Sequence, residues 1–465
     1  MRKHAVLFTM MTASFMTAFM GSSLNVALPS MSAEFGMNAV MTGWIASSFL
    51  LSTAVFMLPS GRLSDLHGRK KLFVLGVLIN MTASLLIIFP AGEWMLISLR
   101  AIQGIGSAMM FATSTPIVIT SYPAAQRGKV LGITVGAVYA GLSAGPFFGG
   151  MLTHYFGWRA IFILCSVLLA LIAVLALRHV ERDHPVAHGE PFDAVGSVLN
   201  GLFLSLLIFG MARVPHREAW FLFAGGALSG ALFVLHQLNA RHPVLRLALF
   251  RGNPVFLKSN LAAMINYSAT FAIAFLMSIY FQIVKGFSPQ GAGTLLLAQP
   301  VAQALLSPAM GKLSDRVEPG VLASLGMGLI TAVLVFFAFA GASVHVGVIV
   351  AGLVLLGVGF ALFSSPNTNA VMSSVGHRDL SMASAILSTM RVAGQILSMG
   401  IAMLVFSLII GRVKIDVSSA ANFVDAMRIC FVIFAALCAA GVYFSMSRGK
   451  LRPGRDILPV VPPAD

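Results

Sequence analysis

The chain is a succession of apolar runs, each long enough to cross a lipid bilayer and separated from the next by a short loop. About 20 apolar residues in a helix span the hydrocarbon core. Windows of that length fall at roughly 5–27, 42–60, 72–90, 94–117, 129–152, 160–178, 194–212, 219–237, 255–284, 292–310, 321–340, 346–365, 381–410 and 427–446. Lipid offers no partner for exposed peptide groups, so such runs are helices. The predicted fold class is therefore all-α: a polytopic membrane protein with about 14 transmembrane helices. Composition agrees, with 58% apolar and only 10% charged residues in 465, where soluble domains carry about 25% charged.

The formal net charge of +15 does not predict a nucleic-acid partner, because the basic residues sit at the edges of apolar runs instead of forming one face. An even number of spans leaves both termini on one side. Placing them in the cytoplasm puts Arg2, Lys3, Arg62, Arg69, Lys70, Lys71, Arg127, Lys129, Arg178, Arg182, Arg241, Arg246, Arg251, Lys258, Lys312, Arg316, Arg378, Arg448, Lys450, Arg452 and Arg455 inside, and Arg159, Arg213, Arg217, Lys285, Arg412, Lys414 and Arg428 outside. This bias follows the positive-inside rule. Met1–Leu24 has the basic start and apolar body of a signal peptide, but no clean small-residue cleavage site follows. Cys165, Cys430 and Cys438 lie in apolar runs without metal or redox spacing and read as small packed hydrophobes. No metal site and no cofactor are predicted.

Gly61–Lys71 reads GRLSDLHGRKK, and Gly311–Gly320 reads GKLSDRVEPG. Gly61, Leu63, Ser64 and Asp65 thus recur as Gly311, Leu313, Ser314 and Asp315, and two halves built on one plan are a common transporter design. Arg127 and Arg378 follow the two aspartates at nearly equal distances, so each half can pair a loop acid with a loop base. The longest hydrophilic connection, RHVERDHPVAHGEPFD at Arg178–Asp193, ends the first six spans. The spans near 194–212 and 219–237 have no counterpart in a two-times-six plan and read as an inserted pair. The expected organisation is 1–180, a six-helix bundle; 181–253, the connection and inserted pair; 254–448, a second six-helix bundle; and 449–465, a cytoplasmic tail.

Five segments carry a family resemblance. Gly61–Lys71 resembles motif A of the major facilitator superfamily, LNVALP at Leu24–Pro29 the end of its first-helix motif, and WIASSFLL at Trp44–Leu51 its second-helix signature. RAIQGIGSA at Arg100–Ala108 resembles motif B, and GLSAGPFFGG at Gly141–Gly150 resembles motif C. The resemblance is to the fourteen-helix drug/proton antiporter branch. It implies conformational gating by Gly61, Asp65, Gly68, Arg69, Arg127, Gly145, Pro146, Gly149, Asp315 and Arg378. In motif C, proline removes a backbone donor and glycines remove bulk, so that helix should bend and approach a neighbour closely. Motif B implies a part for Arg100 in proton coupling, with Gln103 facing the cavity. Arg100 and Arg391 are costly charges within spans and are functional candidates on that ground alone.

One departure stands out. The branch usually carries an aspartate where this chain has Met20, and no span has a carboxylate near its middle. Coupling, which the resemblance implies, must then run through Glu34, the motif loops or a histidine such as His154. Asn25, Gln103, Asn266, Tyr267, Tyr280, Gln282, Gln303, Asn369 and Gln395 are the polar span residues that could bind substrate, since polar groups in lipid need partners or water.

The expected function is secondary active export of small amphipathic or drug-like molecules across a bacterial inner membrane by alternating access, in exchange for protons, by a monomer. Export of a neutral or anionic metabolite without the usual coupling is the alternative. A membrane-embedded enzyme or a sensor is the rival class. No GxxxxGK[ST] loop supports an ATP-driven pump, and no HExxH or paired aspartates support an enzyme.

Overall fold

The structure, a computed structural model, describes residues 2–122, 127–181, 190–245, 247–314, 316–341, 343–376, 380–411 and 417–449. No strand occurs among them. The first half holds α1 (Arg2–Phe35), α2 (Ala39–His67), α3 (Arg69–Ile87), α4 (Glu93–Ser121), α5 (Arg127–Phe156) and α6 (Arg159–His179). Between them in the chain lie α7 (Ala194–Arg213) and α8 (Glu218–Asn239), the two spans read from sequence as an added pair. The second half holds α9 (Pro254–Thr270), α10 (Ala272–Ile279), α11 (Pro289–Leu296), α12 (Ala298–Ser314), α13 (Pro319–Phe339), α14 (Val346–Ser373), α15 (Leu380–Ile409) and α16 (Ala420–Met446).

Among the described residues, twelve helical stretches are long and apolar enough to cross a membrane, and α9, α10 and a π-helical turn at Tyr280–Val284 form one of them. The two further predicted spans fall on the 30-residue α5 and on α11 with α12, which interrupt each other at Leu297. Helix starts carry local signals: Asn38, Asp193, Asn253 and Ser288 each accept a backbone N–H of the first turn, the last two ahead of a proline at the first helical position.

The halves repeat the same packing. α1 packs on α5 and α6 as α9 packs on α15 and α16; α4 lies against α2 and α3 as α14 lies against α12 and α13; α3 meets α6 as α13 meets α16. The closest crossings recur too. Cβ atoms on Gly76 and Gly106 would lie 2.7 and 2.6 Å from each other's carbonyl oxygens, and those on Gly326 and Gly359 would lie 2.6 and 3.0 Å away. Gly104 sits on the Phe49 carbonyl as Gly357 sits on that of Gln299, and Gly141 on that of Phe15 as Gly394 on that of Met264. Only small residues allow helices in lipid to approach so closely. The duplication suggested by two short loops therefore extends through the helix cores.

Tyr122 donates to the Lys3 carbonyl at 2.9 Å, which puts the start of α1 beside the end of α4 and at the Gly61–Lys71 end of the molecule. The halves meet at the other end. There Gln282 donates to the Val26 carbonyl at 3.1 Å, and a Cβ on Gly43 would lie 2.8 Å from Met403. Both glycine–serine–aspartate loops lie at the end away from these contacts. α7 packs on α2 and on α15, with Trp44 and Phe209 rings 4.7 Å apart and Gly400 against Ile208 and Met211.

Candidate functional site

Three regions hold the candidate residues. At the loop end, Gly68 has φ +97°, a backbone conformation open to glycine, and it turns α2 directly into α3. Ser64 donates to the Gly61 carbonyl at 2.7 Å, and Ser314 to that of Gly311 at 2.7 Å, so the two loops share their local geometry. Asp65 near the end of α2 and Arg69 at the start of α3 lie 3.5 Å apart across this turn. A Cβ on Gly61 would meet nothing within 4 Å. Asp315 and Arg378 lie outside the described residues, as does the side chain of Arg127, so the two acid–base pairs read from sequence are not among the described contacts.

Arg62 reaches instead to Glu190 of the connection, at 2.6 Å, and His242 lies 2.8 Å from the same carboxylate oxygen. The Arg62 hydrogen bond holds the Glu190 carboxyl below the usual carboxylate range. Asp193, at the start of α7, accepts from Gly196 N–H, pairs with His236 at 2.8 Å and accepts from Gln237 at 2.7 Å. Desolvation pushes the Asp193 carboxyl up, but the hydrogen bonds from Gln237, Gly196 and His236 together outweigh it and leave it lowered. A lowered carboxyl contributes stability that is fully present above its ordinary value and is lost as pH falls through the lowered one. Asp193→Ala should cost about 1 kcal/mol at neutral pH, the usual worth of a helix cap. Faster hydrogen exchange in the first turn of α7 would register it, and the difference from the parent should vanish in acid well below about pH 4. Equal exchange at pH 7 would disprove it.

At the other end, the motif C segment is packed on both sides. A Cβ on Gly149 would lie 2.6 Å from the Ser23 carbonyl of α1, and one on Gly150 2.5 Å from the Pro289 carbonyl of α11. Gly145 abuts Ser22, and Gly293 of α11 abuts the Pro146 carbonyl. Proline leaves no turn of the helix bonded through its own nitrogen, and glycine clears the space, so α5 lies against both halves at once. Gly141–Gly145 also spells the G-x-S-x-G of hydrolase elbows, but that motif needs a strand-to-helix turn and here it lies inside a helix. Nearby, Glu34 takes both guanidinium arms of Arg159, at 2.5 and 2.9 Å, and the Trp158 indole N–H at 2.7 Å, while Arg159 Nε donates to the Ile88 carbonyl. Glu34 thus ties α1, α3 and α6 together.

Between the ends, Arg100 is 1% exposed. Its Nε donates to the Ile45 carbonyl at 3.2 Å, its Nη1 to Gln103 Oε1 at 2.6 Å, and its guanidinium lies 4.4 Å from the Phe49 ring centroid. Gln103 is fully buried and donates to Ser84 at 2.7 Å, so it faces the interior of the first half and not a cavity between halves. Arg391 is half-buried near the middle of α15, donates to Thr368 Oγ1 at 2.7 Å and lies 5.8 Å from the Tyr267 ring.

The other polar candidates separate by location. Asn25 is buried on α1, and Gln303 on α12. Asn266 is fully buried, with neither side-chain atom partnered among the described residues. Tyr280 donates to the Gly341 carbonyl at 2.9 Å, and Gln282 bridges the halves. Asn369 donates to Ser314 at 2.9 Å, beside the second loop, while Gln395 is half-buried one turn beyond Arg391. Met20, where the resemblance places an acid, is 2% exposed.

Sequence reasoning missed Arg448. Counted there among the cytoplasmic charges, it is 1% exposed, donates to Ser259 at 3.1 Å and to Asn367 at 3.0 Å, and bonds Ser445 as well. Burial pushes its guanidinium down to about 10. Its partners come from α9, α14 and α16, too far apart in sequence to be paired by spacing.

Known proteins align with the whole of this arrangement. The profile described as Major Facilitator Superfamily matches residues 10–399 and 261–454. The riboflavin transporter RibZ of Clostridioides difficile is 28% identical over 84% of this chain and 85% of its own. The multidrug efflux pump LfrA of Mycolicibacterium smegmatis is 28% identical over 79% of this chain and 73% of its own. Among solved structures, a bacterial homologue of the human lysosomal transporter Spinster superposes with a TM-score of 0.70 at 14% identity, over 96% of this chain and 97% of its own. The peptide transporter POT gives 0.67 at 16% identity, over 93% of each chain.

Proposed function

Because the chain belongs to the Major Facilitator Superfamily, we propose that it is a secondary active exporter of small amphipathic, drug-like molecules that works by alternating access. The carrying observation is that two halves with duplicated crossings touch at one end and carry their paired loops at the other. Such halves can rock about a site between them. The proposal assigns residues 1–180 and 254–448 to the two bundles, 181–253 to the connection and inserted pair, and 449–465 to a tail. It places the chain in the fourteen-helix drug/proton antiporter branch, as a monomer in a bacterial inner membrane with both termini and both loops in the cytoplasm.

The loops with Gly61, Asp65, Gly68 and Arg69, and with Asp315, join the halves when that end closes, through Arg127 and Arg378. The α5–α11 seam, Gly150 on Pro289 and Gly293 on Pro146, joins them at the other end, with Gly145 and Gly149 fitting α5 to α1 behind it. The names of the multidrug and riboflavin relatives support small, drug-like cargo. Exchange against protons is part of the proposal, with Glu34, Arg100 and the loops as the groups that would answer to the gradient, since no carboxylate lies near the middle of a span.

The test is a dye and antibiotic panel in a strain stripped of its own efflux pumps. Expression should lower the accumulation of at least one compound several-fold, and a proton uncoupler should restore it. Accumulation unchanged across the panel, with the protein present in the membrane, would reject the export reading.

A further inference from the structure

Arg391 is the one charged side chain that the second half carries near the middle of a span. Three helices converge on it: Thr368 of α14 accepts from its Nη2 at 2.7 Å, and Tyr267 of α9 lies beside it with its ring centroid 5.8 Å from the guanidinium carbon. Thr368 donates its own hydroxyl to the Ser364 carbonyl at 2.8 Å, so its oxygen is oriented to receive the arginine. Tyr267 in turn meets Phe360 edge to face, with ring centroids 6.3 Å apart. The guanidinium is therefore positioned, but it is not neutralised. No ion pair of Arg391 occurs among the described residues, and its Nε is buried without an acceptor.

Arg391, Thr368 and Tyr267 are all half-buried, whereas Val392, Asn367 and Asn266 beside them in sequence are closed off. A guanidinium facing lipid at this depth would be costly, so the open side of the cluster is expected to face the interior between the helices and not the bilayer. The geometry points to this cluster as the seat of an anionic group on the cargo, with planar aromatic carboxylates as the substrate class. A carboxylate approaching the open side of Arg391 supplies the missing countercharge at its terminal guanidinium nitrogens, and guanidinium–carboxylate pairs favour a forked contact. The half-buried Tyr267 ring, held edge to face by the buried Phe360, is the surface against which an aromatic body packs. With no carboxylate near the middle of any span, nothing of opposite sign favours a cation there.

The inference rests on the export reading and specifies its cargo. The test uses the full chain, purified in detergent, with tritiated 2-naphthoate as the probe and 2-naphthamide and 2-naphthylmethylammonium as competitors of nearly the same shape. The carboxylate should bind at least tenfold more tightly than either competitor. Arg391→Gln should erase that preference, Arg391→Lys should keep part of it by retaining charge without the fork, and Thr368→Val should weaken it several-fold. No binding of 2-naphthoate, equal competition by the amide in the parent, or an undiminished carboxylate preference in Arg391→Gln would each overturn it. The comparison of three probes in the parent protein stands even if a variant fails to fold. Efflux of the dye panel alongside failure here would sink the anion assignment and leave the exporter reading intact.

Discussion

Gly293→Val is expected to reduce transport several-fold or more while leaving the protein folded in the membrane. The added side chain falls on the Pro146 carbonyl of α5, a backbone atom that cannot turn aside. Overpacking a close contact costs about 1–3 kcal/mol. That cost applies in the state where α5 and α11 touch and is relieved when they part. At about 1.4 kcal/mol per factor of ten, the balance between the two end states shifts by roughly 5- to 150-fold. A carrier biased that far completes few cycles. Counterflow in reconstituted vesicles measures the rate, and cross-linking of Ser47→Cys with Met403→Cys, whose native side chains lie 3.7 Å apart, measures closure of the same end. The native cysteines are buried and leave the assay clear. Unchanged counterflow together with unchanged cross-linking would show that the seam does not govern the cycle.

Arg100→Met should abolish coupled transport and yet leave thermal stability near that of the parent. Replacing a buried charge by an apolar side chain of similar volume is often neutral or stabilising by about 1–4 kcal/mol. Against that, Gln103 Oε1 loses its donor, a loss of about 1–3 kcal/mol for a buried acceptor. The two nearly cancel. A guanidinium kept at no net benefit to the fold has its use elsewhere, and Arg100 links α2, through the Ile45 carbonyl, to Gln103 and so to Ser84 of α3. Counterflow, an uncoupler-sensitive efflux assay and a melting curve together decide it. Full transport in Arg100→Met would reduce the residue to a packing element.

Spans and their partners were legible in the sequence for different reasons. The spans near 194–212 and 219–237 match α7 and α8 to within a few residues because polar segments bound them, at Asp193 and Asn239. By contrast α1 runs to Phe35, past the window ending near 27, because helical hydrogen bonding continues through residues that are no longer uniformly apolar. The repeat is visible as Gly-x-Leu-Ser-Asp twice, and the glycine crossings recur at nearly the same spacing, although glycine alone does not say which helix it meets. Burial of charge was the hardest to read. Arg100 could be singled out because it lies inside an apolar run, whereas Arg448 stands just past the end of one and is buried by Ser259 and Asn367, distant in the chain. Gln103 was assigned to a cavity on one-dimensional adjacency to Arg100, and only the approach of Ser84 reveals its inward direction.

The position of α7 makes the two flanks of the molecule unequal. It spans the groove where α2 and α15 meet, sealed by Trp44 on Phe209 and by Met211 on Gly400, and no described contact of the pair reaches the groove between α5 and α12. The two flanks where the halves meet therefore show the bilayer different faces, a helix pair laid over α2 and α15 on one side and α5 against α11 and α12 on the other.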